Sequence, residues 1–286
     1  MFAHEFMRNA FLAGTFVALA CGLVGYFVVL RGQVFAGDAL SHVAFTGALA
    51  AAAAGIDVRL GLFVATLGVA AGMGALGRRA RPDDVVIGSV FAWILGLGAL
   101  FLSIFIAGSS GSDGTTAVRV LFGSILGLSV GEAWLAAAIA IAACLALLAL
   151  ARPLLLSSID PEVARGIGVP VRALGLAFLV VLGAVAAEAT QAVGALLLLG
   201  LLAAPGGAAR LLTDRPWHGL ALSAAIAVGS TWLGLVLSYE IESLPAGTAI
   251  IAVATAVFLL AGARSFLAST GIRPFRWLIP RPGTPG

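Results

Sequence analysis

Residues 10–30 read AFLAGTFVALACGLVGYFVVL and include no charged side chain. A helix rises about 1.5 Å per residue, so a run of this length reaches roughly 30 Å, the thickness of the hydrocarbon core of a bilayer. The chain passes directly from this run into further apolar segments. We therefore expect the first span of a polytopic membrane protein here rather than a cleavable signal peptide.

The composition of the whole chain supports this interpretation. Hydrophobic residues make up 61% of the 286 positions and charged residues 10%, whereas about 25% of the residues in soluble domains are charged. The mean hydropathy of +1.12 is correspondingly high. Apolar runs long enough to span recur at residues 10–30, 33–55, 58–77, 85–107, 131–151, 172–190, 192–212, 219–239 and 246–264. They predict an all-α, polytopic integral membrane protein with about eight or nine transmembrane helices.

Arginine clusters orient these spans. All 16 basic residues are Arg, gathered mainly near residues 78–81, 152–172, 210–215 and 264–281. Arg-rich loops face the cytoplasm, so the loops at 108–116 and 240–244 are expected outside. Two full spans before residue 58 would place Met1 outside and Arg31 inside. A re-entrant segment in this region would instead place Met1 on the inner side. The excess of basic residues in the chain is explained by these short cytoplasmic loops, so it does not indicate a nucleic-acid-binding surface.

The domain organisation follows from the same pattern. Residues 1–272 are expected to form a single transmembrane domain with a cytoplasmic loop at 152–172. Residues 273–286 contain four prolines, which predicts a flexible cytoplasmic tail. The chain has no Lys, so it lacks the residue that a Walker A loop uses to reach nucleotide phosphates. If ATP drives this protein, a separate subunit must bind it.

The segment Gly37-Asp38-Ala39-Leu40-Ser41-His42 places a carboxylate and an imidazole inside an apolar run. Positions i and i+4 share one face of a helix, so Asp38 and His42 project together. Oxygen and nitrogen donors of this kind bind zinc and manganese, and ionisable groups inside a membrane segment indicate a substrate pathway or functional site. We predict a metal-binding pair. The alternatives are a helix-capping role for Asp38 and a helix-to-helix hydrogen bond for His42.

A third ionisable group, Glu188, lies near the outer end of a later span. A role in metal entry and simple placement at the membrane interface are both open. His4 and His218 fall in a terminus and a loop and are assigned no role.

A short helix outside the membrane is predicted within the cytoplasmic loop. Its boundary signals are Ser158 or Asp160 as the cap, Pro161 at the first position, Glu162 in the first turn, and Gly166 or Gly168 at the end. Its apolar face comprises Ile159, Val163 and Ile167. Such a face offers a surface for a partner, although a well-formed connecting turn would carry the same signals.

Six segments, in order along the chain, carry a family resemblance. They are GDALSH at 37–42, PDDVVIG at 82–88, LFGSIL at 121–126, IDPEVA at 159–164, QAVGALL at 191–197, and LSY at 237–239 with LPAG at 244–247. Together they resemble the membrane permeases of ABC transporters that take up zinc, manganese or iron(II). The sequence departs from that pattern at residues 203–209, where small residues stand in place of bulkier aliphatics.

The resemblance implies a permease of a bacterial plasma-membrane importer, which supplies binding and alternating access rather than catalysis. Zinc or manganese would be its cargo, with iron(II) a further candidate, and no cofactor would be tightly bound. It implies that Asp38 and His42 coordinate the metal. It also implies a second permease copy, identical or homologous, and an extracytoplasmic metal-binding protein. A cytoplasmic ATPase dimer would dock on the loop around Ile159, Asp160, Pro161, Glu162, Ala164 and Gly168.

Other classes remain open. A secondary metal transporter would need no ATPase but should show inverted repeats with interrupted helices, and no convincing repeat is traceable. A permease for iron chelates would not need a carboxylate and imidazole directed at a bare ion. An intramembrane metalloenzyme is disfavoured because the sequence has no His-Glu-x-x-His arrangement.

Overall fold

The computed structural model describes residues 4–76, 84–108, 123–195, 198–241 and 243–270. Within those ranges every regular element is helical, which confirms the all-α prediction. A single 3-10 turn, Ile125–Gly127, precedes the fifth α-helix. The α-helices are α1 (Glu5–Leu30), α2 (Val34–Ala53), α3 (Val58–Leu76), α4 (Asp84–Gly108), α5 (Val130–Ile159), α6 (Pro161–Gly166), α7 (Val171–Val193), α8 (Leu198–Leu212), α9 (Pro216–Glu240) and α10 (Ala246–Thr270).

Among the described residues, eight helices are long and apolar enough to cross a membrane, which confirms the multi-span prediction. They are α1 to α5, α7, α9 and α10. The Arg cluster at 78–81, most of the outer loop at 108–116 and the tail at 273–286 lie outside the described residues. The domain boundary at residue 272 therefore stays a prediction.

Helix α1 lies at the centre of the bundle and packs antiparallel against α9. Near the start of α1, the His4 ring lies 6.4 Å from the ring of Tyr239. Farther along, the Ser223 hydroxyl donates a hydrogen bond to the Gly22 carbonyl at 2.6 Å. The largest buried apolar cluster surrounds this helix.

Helix α1 also approaches α8 at backbone distance. A Cβ atom on Gly25 would overlap the Leu202 carbonyl, and one on Gly206 would lie 2.6 Å from the Gly25 oxygen. Small residues at such crossings let two membrane helices pack closely. Part of the small-residue segment at 203–209 thus lies at a tight helix crossing.

Contacts between helix ends show which ends share one side of the membrane. The Asn9 side chain donates to the Leu128 carbonyl, 3.2 Å away, just before α5 begins. The Arg31 guanidinium donates to the Ser158 hydroxyl, also at 3.2 Å, in the last turn of α5. If the Arg-containing loop after α5 is cytoplasmic, as the positive-inside pattern predicts, the start of α1 lies outside and Arg31 lies inside. The arrangement supports two full crossings before residue 58.

The predicted span at 192–212 takes a different form from the others. Helix α7 continues to Val193 and ends at Gly194, whose φ of 98° interrupts the helix. Helix α8 has only 15 residues, which at about 1.5 Å per residue is shorter than the hydrocarbon core. It runs parallel to α10, because Cβ atoms on Gly200 and Gly207 would contact Ile251 and Phe258. Within the described residues, the short helix α8 therefore leads the chain back toward the side where α9 begins, in addition to the eight long helices.

Candidate metal centre

Helix α2 brings the predicted ligand pair together. Asp38 and His42 lie about one and two turns after its first residue, and the Asp38 Oδ1 atom is 4.0 Å from the His42 Nε2 atom. This separation exceeds a hydrogen bond. The His42 ring packs edge-on against Phe91 of α4, with the ring centroids 5.1 Å apart.

The pair lies on the one part of the first turns of α2 that is open to its surroundings. Residues 36, 37 and 39–41 are buried, whereas the Asp38 and His42 side chains remain 24% and 15% exposed. Phe35, one turn before Asp38 on the same face, is 70% exposed. A cavity of about 300 Å³ lies between this face and α4, lined by Phe35, Asp38, Ile87, Gly88 and Phe91. Asp38 therefore faces a groove on the surface of the single chain.

The described part of the chain offers two candidate ligands at this face. Across the described residues, no group of three or more His, Cys, Asp or Glu side chains could hold a metal ion. Structural metal sites of the zinc type use four protein ligands. Asp38 and His42 by themselves would fill two of the four positions of such a site.

Glu188 lies in an ion pair that the sequence did not reveal. Both of its carboxylate oxygens accept hydrogen bonds from the Arg59 Nη2 atom, at 2.6 and 2.8 Å, and its side chain is only 4% exposed. The pair joins the start of α3 to the end of α7 at the outer side of the bundle. The available signal was Arg59 itself, because an arginine at an outer helix end opposes the positive-inside pattern. A partly buried arginine requires an acidic partner, because an unpaired buried charge is strongly destabilising.

A cavity of about 660 Å³ opens beside this ion pair, lined in part by Asp57, Arg59, Glu132 and Gln191. The acidic side chains at its rim serve as helix caps. Asp57 accepts from the Leu60 amide at 3.0 Å, and Glu132 forms a capping box with Ser129. The cavity lies at the outer side, and apolar side chains such as Leu62 and Leu135 line it together with the charged ones.

The short cytoplasmic helix forms where the sequence predicted it. Of the two candidate caps, Asp160 fills the role: its Oδ1 atom accepts from the Glu162 and Val163 amides, each at 3.0 Å. Pro161 occupies the first position of α6. Of the two candidate glycines, Gly168 closes the turn with a φ of 85°, which glycine adopts without strain.

Helix α6 has one buried and one exposed face. Ala164 is fully buried against Val171, Leu156 and Val169, which fixes the helix to the bundle. The apolar residues on the other face are exposed: Ile159 by 66%, Val163 by 52% and Ile167 by 67%. Exposed apolar side chains in a row next to polar loops indicate an interaction surface.

Comparisons with known proteins identify the family of the chain. The model of the ABC 3 transport family matches residues 3–265. The chain is 31% identical to the manganese transport system membrane protein MntC of Halalkalibacterium halodurans, over 91% of this chain and 88% of the relative. It is 30% identical to the chelated iron transport system membrane protein YfeD of Yersinia pestis, over 91% of this chain and 86% of that protein.

A solved structure shares the arrangement of the helices. The structure of PsaBC from Streptococcus pneumoniae in complex with Fab superposes with a TM-score of 0.79 at 26% identity, over 93% of this chain and 96% of that one. Family match, membrane helices and shared fold all place the protein among the multi-pass permeases of bacterial plasma membranes. The chain belongs to the ABC 3 transport family and is the membrane permease subunit of an ABC transporter.

Proposed function

We propose that this permease carries a bare divalent transition-metal ion into the cell and that Asp38 and His42 are the ligands of this ion. Manganese is the cargo that we propose. The observation that carries the proposal is the position of the pair on the open face of α2, beside the cavity that borders α4. Relatives named for manganese transport support the choice of cargo. Carboxylate and imidazole donors also suit zinc and iron(II), so these are the other cargoes to assay.

A second permease copy completes the site in this proposal. Two copies related by a two-fold axis would each present the same face. They would supply two carboxylates and two imidazoles, which makes four ligands. The carboxylates would also offset the charge of the ion in a medium of low dielectric. Each copy contributes only half of the site, so transport would require the dimer.

The other partners act at the two ends of the bundle. A cytoplasmic ATPase dimer docks on the exposed face of α6, through Ile159, Val163 and Ile167. Asp160, Pro161, Glu162, Ala164 and Gly168 hold that helix in place, as their cap, turn and packing contacts support. An extracytoplasmic binding protein delivers the ion at the outer side, near the cavity beside Arg59. A role for Glu188 in metal entry would require its ion pair with Arg59 to open.

The second candidate cargo is an iron chelate, since the relative from Yersinia pestis is named for chelated iron. A chelate carries its own ligands, so it would not depend on Asp38 and His42. Substitution of Asp38 and His42 should therefore stop the transport of a bare ion and leave the transport of a chelate unchanged.

The test is metal uptake by the complete transporter in metal-starved cells, with total manganese, zinc and iron measured by mass spectrometry. We expect Asp38→Asn and His42→Gln to abolish accumulation of the cargo metal while the protein still inserts and assembles. The matched controls are Asp214→Asn and His218→Gln, which change exposed residues of the same types on the cytoplasmic side. Unchanged accumulation in both pathway variants would contradict the assignment of the ligands.

A further inference from the structure

Arg31 is a buried arginine at the cytoplasmic end of α1, with 4% of its surface exposed. Its Nε atom donates to the Gln33 side-chain oxygen at 3.3 Å, and its Nη1 atom donates to the Ser158 hydroxyl at 3.2 Å. Its guanidinium lies over the ring of Phe178 in α7, 5.4 Å from the centroid. One rigid, planar group thus contacts three different parts of the bundle.

The contacts of Arg31 connect the two functional regions. Gln33 is the N-cap residue of α2, about one turn before Asp38. Ser158 lies in the last turn of α5, two residues before Asp160, which caps the docking helix α6. A displacement of α6 therefore reaches Arg31 through Ser158 and reaches the start of α2 through Gln33.

The hydrogen bonding at this point is incomplete. The Gln33 Nε2 atom is buried and, among the described residues, has no hydrogen-bond partner. Leaving a buried amide donor unsatisfied disfavours this arrangement relative to one in which the donor is paired. The Gln33 amide would gain a hydrogen bond in any arrangement of these side chains that gave it an acceptor. Interfaces with two discrete arrangements are the elements through which switching transitions pass.

We propose that Arg31 is a positioning residue that couples the docking helix to the metal-binding helix. This inference rests on the proposed function, because it concerns the same ligand pair. When the ATPase moves α6, the end of α5 shifts Ser158, and the Arg31 guanidinium transmits the shift to the N-cap of α2. The ligand pair then changes its exposure toward the cytoplasm. Arg31 contacts neither the metal nor the ATPase in this scheme.

The experiment uses the complete transporter in proteoliposomes and measures manganese uptake and ATP hydrolysis together, with manganese binding to the assembled complex as a third readout. Arg31→Gln should lower the manganese carried per ATP by about tenfold, within the usual range of coupling between linked sites. Binding of manganese and basal ATP hydrolysis should stay unchanged. A purely structural role would lower all three together. Arg31→Lys should remain impaired, since an ammonium lacks the planar fork.

Arg215→Gln is the matched control, because Arg215 is an exposed cytoplasmic arginine at the start of α9. Its ratio of manganese to ATP should equal that of the wild type. Should Arg31→Gln fail to assemble, Ser158→Ala decides the question: a lowered ratio supports the coupling and an unchanged ratio overturns it. Unchanged coupling in assembled Arg31→Gln, or loss of manganese binding there, overturns the inference. Failure of the wild type to carry manganese contradicts the proposed function instead.

Discussion

Two acidic side chains of the membrane helices meet opposite surroundings. Asp38 is partly exposed to a groove, and its Oδ1 atom lies 4.0 Å from the His42 Nε2 atom. Glu188 is almost fully buried, and both of its oxygens are bonded to Arg59. The first carboxylate is available to a ligand, whereas the second is satisfied within the protein. The same residue chemistry thus faces a groove in one helix and joins two helices in another.

At this residue scale we predict that Glu188→Gln destabilises the protein by about 3–5 kcal/mol, because it leaves the partly buried Arg59 guanidinium without its carboxylate. The measurement is the unfolding transition of the purified permease in detergent. Glu240→Gln, which changes an exposed glutamate at the outer end of α9, is the control and should have little effect.

The double variant Arg59→Met with Glu188→Met tests the cause of this loss. Replacing both charges by apolar groups of similar size removes the desolvation penalty along with the attraction. Stability should therefore recover most of the way toward the wild type. A double variant as unstable as Glu188→Gln alone would mean that packing, rather than the unpaired charge, accounts for the loss.

At the scale of elements, α6 combines a fixed and a free face. Asp160 caps it and Ala164 anchors it, so its position relative to the bundle is defined. The apolar side chains on its free face are more than half exposed. A six-residue helix is too short to persist alone. Its caps and its packing therefore hold it ready for the ATPase that we propose as its partner.

We predict that Val163→Asp abolishes docking of the ATPase while the permease remains folded, because the side chain is 52% exposed and a charge there opposes apolar contact. The measurement is retention of the ATPase during copurification. Leu212→Asp is the control, since it places the same charge at another cytoplasmic helix end, where the side chain is 38% exposed. Normal ATPase retention in Val163→Asp would exclude this face as the docking surface.

At the scale of the whole molecule, eight long helices of the described ranges can cross the membrane, and the short helix α8 leads the chain back between α7 and α9. The antiparallel packing of α9 on α1 and the parallel packing of α8 on α10 require this path. It places the first residues outside and the end of α10 inside, in agreement with the arginine distribution.

Cysteine labelling tests this topology with a membrane-impermeant maleimide. Ala54→Cys and Ile241→Cys should react from outside, whereas Gly166→Cys and Asp214→Cys should react only after the inner face is exposed. The native thiols, Cys21 and Cys144, are buried and should give little background. Reaction of Asp214→Cys from outside would show that α8 does not complete a crossing.

The sequence alone determined the all-α membrane fold, the number of spans to within one, the spacing of the Asp38 and His42 pair, and the capped helix at Pro161–Gly166. These features depend on composition, on helical periodicity and on residues close together in the chain. Because these features depend only on residues near one another in the chain, they can be predicted from the sequence.

Only the tertiary structure decided the partners that lie far apart in sequence. Arg59 and Glu188 are separated by 129 positions, and Arg31 and Ser158 by 127, so no local pattern could pair them. The shortness of α8 likewise follows from where Gly194 interrupts the helix and from close packing against α1. These choices depend on which helices touch, because a buried charge selects its partner by proximity in the folded bundle rather than along the chain.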